Sequence, residues 1–140
     1  ANADLRAAMA GAPALQTAFP ENNGLAAQLA MVARLMAARG ALGARRQVFF
    51  VSLGGFDHHA FLSSAHPPLL KQLADALGAF DAALGELNLR NQVTTFTASD
   101  FGRALQPNGD GSDHGWGSHH FVMGGAVKGG DIVGRMPMMA

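Results

Sequence analysis

Two helical periods and one near-continuous apolar run organise this chain. In "NNGLAAQLAMVARLMAARG" the apolar residues Leu25, Leu29, Val32 and Met36 recur at steps of four, three and four, the spacing of one helix face. Asn22 or Asn23 supplies an N-cap and Gly40 a stop, since asparagine oxygen accepts the free amides of a first turn and glycine tolerates the left-handed cap. A second helix is read in "HPPLLKQLADALGAFDAALGELNL", where Leu70, Leu73, Leu77, Phe80, Leu84 and Leu87 follow three- and four-residue steps behind two prolines suited to a helix start. Alanine-rich residues 3 to 10 suit a short helix, and "GAPALQTAFPENN" then reads as a loop.

The period changes in "RQVFFVSLGG". Val48, Phe49, Phe50, Val51 and Leu53 form a run bounded by charge and by paired glycines, which predicts a strand buried on both faces, as in a parallel sheet. β-Branched and aromatic residues return in "QVTTFTASDFG" after the second long helix. Strand, helix, strand in that order predicts a right-handed βαβ unit with parallel strands. Gly102 to Ser118 reads as a long loop, and "HHFVMGGAV" and "DIVGRMPMM" each suit a short strand. The fold class expected is α/β, a partly parallel sheet with flanking helices in one domain covering residues 1 to 140.

Composition narrows the function. Hydrophobic residues make up 49% and charged ones 14%, against a usual charged share of about 25%, so part of the surface is expected to meet a partner or further chain. Ten basic and ten acidic residues cancel, and no basic stripe extends beyond Arg45-Arg46, which argues against nucleic acid as a ligand. No stretch approaches the roughly 20 apolar residues of a membrane span. With no cysteine, any metal must be held by imidazole and carboxylate.

Such groups concentrate in three stretches. "GGFDHH" follows the first expected strand and "SDFGR" the second, while "SDHGWGSHH" precedes a third. Ligands of open α/β sheets bind beyond the carboxyl ends of the strands, so Asp57, His58, His59, Asp100, Asp113, His114, His119 and His120 are expected to face one edge. Carboxylate with imidazole suits zinc, manganese or iron, with zinc held at about 2.0 to 2.2 Å. Arg103 has the planar fork to clamp a substrate oxyanion, or else pairs with Asp100 or Asp113. His66, beside Pro67, is expected to be exposed or to cap its helix. "NGDGSD" lacks the sixth-position glycine and closing glutamate of a calcium loop, and "GGAVKGG" lacks the spacing of a P-loop. Met136, Met138 and Met139 read as core or interface filler.

"VSLGGFDHH", "LLKQLADALGAFDAAL" and "TASDFGRALQPNGDGSDHGWGSHHFVMGGAVKGG" resemble successive blocks of domain-of-unknown-function family 1501, bacterial proteins usually exported by the twin-arginine pathway. The resemblance runs from about Phe19 onward and implies an exported or periplasmic setting. It also implies kinship with the alkaline phosphatase and sulfatase superfamily, and hence a fragment of a three-layer fold holding one or two metal ions. By that likeness Asp57 and His59 bind one metal and Asp100 belongs to the other, while Phe101 stands where the superfamily has a coordinating histidine. His119 or His120 matches a later histidine ligand, and Asp113 with His114 can compensate for Phe101. The superfamily nucleophile lies upstream of such motifs, so the chain is expected to be the C-terminal part of a larger protein. The expected function is metal-dependent hydrolysis of small phosphate or sulfate esters in that intact protein, with zinc the foremost ion. The alternative is a non-enzymatic exported domain whose histidine loop serves structure or docking. Self-association through apolar surface left open by truncation is a third expectation.

Overall fold

The computed structural model describes residues 2–138. The chain divides into two compact units, residues 1–54 with 71–89 and residues 55–70 with 90–140.

The first unit is helical. Helix α1 (Asn2–Ala10) packs against α2 (Gly24–Ala37), and α3 (Leu62–Glu86) contributes residues 71 to 86. Asn23 is the N-cap of α2: its side-chain oxygen accepts the Ala26 amide at 3.0 Å, and its amide group donates to the Gln72 carbonyl at 2.8 Å. The cap is buried; it satisfies a free amide of the first turn of α2 and ties that turn to the Gln72 carbonyl. Helix α2 stops at Ala37, capped by Ala38. Gly40 is therefore not the stop; the chain instead winds through turns to Gly43, which takes a positive φ of 63°. Loop residues Gln16 and Thr17 donate their amides to the Glu86 carboxylate at 2.7 and 2.9 Å, and the Thr17 hydroxyl adds a bond of 2.7 Å. These donors, Gln16 first, hold the Glu86 carboxyl below its ordinary range.

Every buried apolar residue among the described residues belongs to this unit. Leu25, Leu29 and Val32 of α2 and Phe80, Leu84 and Leu89 are its larger members, with alanines at 8, 26, 33, 38, 76 and 83 between them. Phe80 and Leu84 are the largest side chains fully buried there.

The expected strand at Val48 to Leu53 is corrected. No strand is assigned there, Val48 is 98% and Phe50 93% exposed, and the apolar run is thus not buried on both faces. Exposure alternates residue by residue from Val48 to Leu53, the period of an extended chain. One backbone step is satisfied by a side chain: Gln28 donates to the Ser52 carbonyl at 2.9 Å and accepts its amide at 3.0 Å.

The second unit is built from short antiparallel pairs. β1 (Thr95–Phe96) pairs with β4 (Val122–Met123), Thr95 opposite Met123. Within the stretch expected to be a long loop, β2 (Arg103–Pro107) and β3 (Ser112–His114) form a hairpin, Arg103 opposite His114 and Pro107 opposite Ser112. A 3-10 turn covers Arg90–Gln92. Both sheets have two strands and both pairings are antiparallel, so the parallel sheet expected from the strand, helix, strand order is absent among the described residues. What the described residues show is a mixed α/β architecture of three helices and small antiparallel sheets. No strand forms at residues 131–138, and Met136 and Met138 are exposed rather than filling a core; Met139 lies outside the described residues. No helix among the described residues is long and apolar enough to cross a membrane.

Candidate metal centre

Helix α3 begins at Leu62, four residues before His66, so Pro67 and Pro68 lie inside its second turn rather than at its start. The reason is the preceding residue. Phe61, at a positive φ of 57°, presents its carbonyl to the Ala65 and Ser64 amides at 2.9 and 3.1 Å, and the Leu62 amide is taken by the Asp110 carbonyl at 2.9 Å. Those contacts fix the loop from Gly55 to Ala60 beside the turn between β2 and β3.

Gly111 in that turn has to be glycine. A Cβ there would collide with the backbone of His59 and lie 2.7 Å from the Ala60 nitrogen. This close approach of backbone to backbone brings the Asp57 and His59 side chains to the hairpin. Gly102 plays the same part at the hairpin base, where a Cβ would meet the Gly115 and Gly117 backbone at 2.7 Å.

On this frame Asp57, His59 and His114 come together, with one ligand atom from each lying within 4.8 Å of the others. It is the only such group of three or more found among the described residues. His114 Nε2 lies 2.7 Å and His59 Nε2 3.0 Å from the same oxygen, Asp57 Oδ1. The hydrogen bond with His114 is the main reason the Asp57 carboxyl sits below its ordinary range; the charges of His114, His59 and Arg103 act in the same direction and its partial desolvation opposes them. All three side chains are exposed, so a small ligand can reach them from solvent.

Arg103 lies beneath the group. Its guanidinium donates to the Phe56 carbonyl at 2.6 Å and to the Ser112 carbonyl, and stands 3.9 Å from Asp57 Oδ1. Arg103 therefore ties the loop to the hairpin, and its pairing is with Asp57 rather than with Asp100 or Asp113. Phe101 stacks on the His114 ring at 4.1 Å and 12°, and its ring centroid is 5.2 Å from the guanidinium carbon. Phe101 thus packs flat against one of the two imidazoles of the group.

The other expected ligands have different surroundings. Asp113 Oδ1 faces His59 Nδ1 at 3.1 Å and accepts from Asn108 at 2.6 Å, one residue removed from the three-group cluster. His120 lies between the Ser118 hydroxyl, 3.0 Å from Nε2, and the Thr97 hydroxyl, 3.3 Å from Nδ1. Neither Asp100 nor His119 joins the group. His66, expected to be exposed or capping, is half-buried, packed edge-on to Phe56 at 5.6 Å and to His58 at 5.9 Å. Its Nδ1 and His58 Nε2 are buried without a hydrogen-bond partner, and burial, then the charges of His58 and Arg103, lowers the His66 pKa. Asn108, Ser112 and Phe101 support the site without having been read as part of it; the turn signal Pro-Asn-Gly-Asp-Gly was the clue to the first two.

An exposed acid and imidazole cluster carried on a small α/β scaffold defines the class of chain. The model of the family described as proteins of unknown function, DUF1501, matches residues 3–140, and the chain belongs to that family. No curated protein and no solved structure matches it.

Proposed function

We propose that Asp57, His59 and His114 hold one divalent cation, zinc foremost, as part of a hydrolase-like centre acting on phosphate or sulfate esters in the intact, exported protein. The observation that carries this reading is the convergence of two imidazoles and one carboxylate, with one ligand atom from each within 4.8 Å of the others. Three nitrogen and oxygen ligands with an open fourth side are the pattern of catalytic rather than structural zinc. A cation held there supplies Lewis-acid polarisation of an ester oxygen. Arg103 has guanidinium donors beyond those spent on Phe56 and Ser112 for a substrate oxyanion, and Phe101 screens one side of His114 from water. The superfamily's nucleophile has no counterpart among the motifs of this chain, so by itself it should turn over no ester.

The test is metal content. Elemental analysis and zinc titration of the purified chain are expected to give one ion, lost in Asp57→Ala and kept in Asp100→Ala. Absence of a stoichiometric ion in the wild type would leave the second reading, a non-enzymatic domain that uses the loop for structure or docking. That reading is favoured by one observation, the direct bonds among Asp57, His114, His59 and Asp113, which already knit the loop to β3. Metal-dependent turnover of an aryl phosphate by the chain alone would refute the claim of inactivity. Self-association is also proposed, through exposed Val48 and Phe50, and light scattering over a concentration series reads it.

A further inference from the structure

We infer that Asp113 is a positioning residue of this centre, holding the Nδ1–H of His59 so that its Nε2 faces Asp57 and His114; the inference rests on the metal reading above. His59 has two ring nitrogens, and the structure gives each a different acid. Nε2 is 3.0 Å from Asp57 Oδ1, the oxygen that His114 Nε2 also approaches at 2.7 Å. Nδ1 is turned the other way, 3.1 Å from Asp113 Oδ1. A cation shared with Asp57 takes the lone pair of Nε2, which leaves the proton on Nδ1 where Asp113 accepts it, and the same contact fixes the ring plane.

Asp113 is itself held. Its Oδ1 accepts from Asn108 Nδ2 at 2.6 Å, so the oxygen facing His59 is anchored across the turn that joins β2 to β3. Two donors on one oxygen leave it poorly placed to ligate the ion as well. The side chain that the sequence placed among direct ligands is thereby assigned to the shell behind one, where it sets the orientation of the His59 ring rather than touching the metal.

The experiment is a competition titration of Zn2+ into the full chain and into Asp113→Ala, Asp113→Asn and Asn108→Ala, with circular dichroism confirming the fold of each and Co2+ absorption reporting the coordination shell. Asp113→Ala should weaken Zn2+ binding by about 10- to 100-fold with stoichiometry unchanged, the usual effect of losing an outer carboxylate. Asp113→Asn should recover most of that loss, because its amide oxygen accepts the same N–H. Asn108→Ala should fall between wild type and Asp113→Ala. The Co2+ visible spectrum should keep its shape in all three. Zn2+ affinity equal to wild type in Asp113→Ala overturns the inference while leaving the centre intact. Equal losses in Asp113→Ala and Asp113→Asn, with a changed Co2+ spectrum, overturn it in favour of a direct ligand. A wild-type chain that takes up no Zn2+ overturns the centre and this inference together.

Discussion

Replacing Gly111 with alanine tests the geometry of the site without altering any charged or ligating group. The added methyl would lie 2.7 Å from the Ala60 nitrogen and closer still to the His59 carbonyl, whereas ordinary contact begins at 3.4 Å. Both obstacles are backbone, so no rotamer relieves them, and the turn and the loop must part by about 0.7 Å or more. Metal sites accept departures of about 0.2 Å in ligand distance, so a shift of that size at His59 takes its Nε2 out of range of the Asp57 and His114 pair. Overpacking of this kind costs about 1 to 3 kcal/mol. Urea unfolding and Zn2+ titration, run side by side, should show a lowered midpoint and weakened binding in Gly111→Ala. Gly78→Ala is the matched control: nothing lies within 4 Å of its Cβ position in the interior of α3, and removing a helical glycine should stabilise by about 0.5 to 1 kcal/mol. A Gly111→Ala chain with the wild-type midpoint and the wild-type zinc affinity would refute the close approach on which the site is built.

Three further outcomes follow from the helical unit and from His66. Leu84→Ala, at a side chain 1% exposed, should cost about 2 to 5 kcal/mol in urea unfolding; a loss under about 1 kcal/mol would mean that the alanine-rich packing around it collapses to fill the gap. Asn23→Ala removes both the cap on Ala26 and the donor to Gln72, so the loss should sit near the upper end of the range of about 0.5 to 2 kcal/mol for caps, with Asn23→Asp retaining only the cap and falling between. His66, lowered from an ordinary value of 6.5 by burial, binds fewer protons folded than unfolded. Stability should therefore be undiminished above that value and fall on acidification through it. His66→Phe should flatten the loss measured between about pH 7.5 and 5.5, and an unchanged pH profile in that variant would remove His66 as its source.

The helices were readable because their signal is local. Leu25, Leu29 and Val32 are buried as their spacing requires, and so are Phe80 and Leu84, since the helical period alone decides which residues share a face. Boundaries were less legible for a related reason. Proline tolerates a first turn, but it also sits deeper in α3, where Phe61 and the Asp110 carbonyl start the helix early, and no local rule reveals an acceptor supplied from forty-eight residues away. Val48 to Leu53 shows the limit most clearly. An apolar run states a preference for extended backbone, but a strand exists only with a neighbour to share its hydrogen bonds, and here a glutamine side chain serves one residue in place of a sheet.

The site divides along the same line. Residue type alone singled out Asp57, His59 and His114 as oxygen and nitrogen donors, yet it singled out Asp100, Asp113, His119 and His120 equally, because spacing along a glycine-rich segment carries no distance. What separates them is the antiparallel register that sets Arg103 opposite His114 and the glycine that lets His59 approach the turn. Two parallel strands delivering their trailing loops to one edge were expected to gather all of these groups; it is instead a hairpin that carries His114 alone of the later histidines back to Asp57. The second unit buries no large apolar side chain among the described residues, so its order depends on these polar bonds and close backbone contacts. In a unit held that way a cation bridging Asp57, His59 and His114 would act on folding as well as on chemistry, since ligand binding to the ordered form alone shifts the equilibrium toward it.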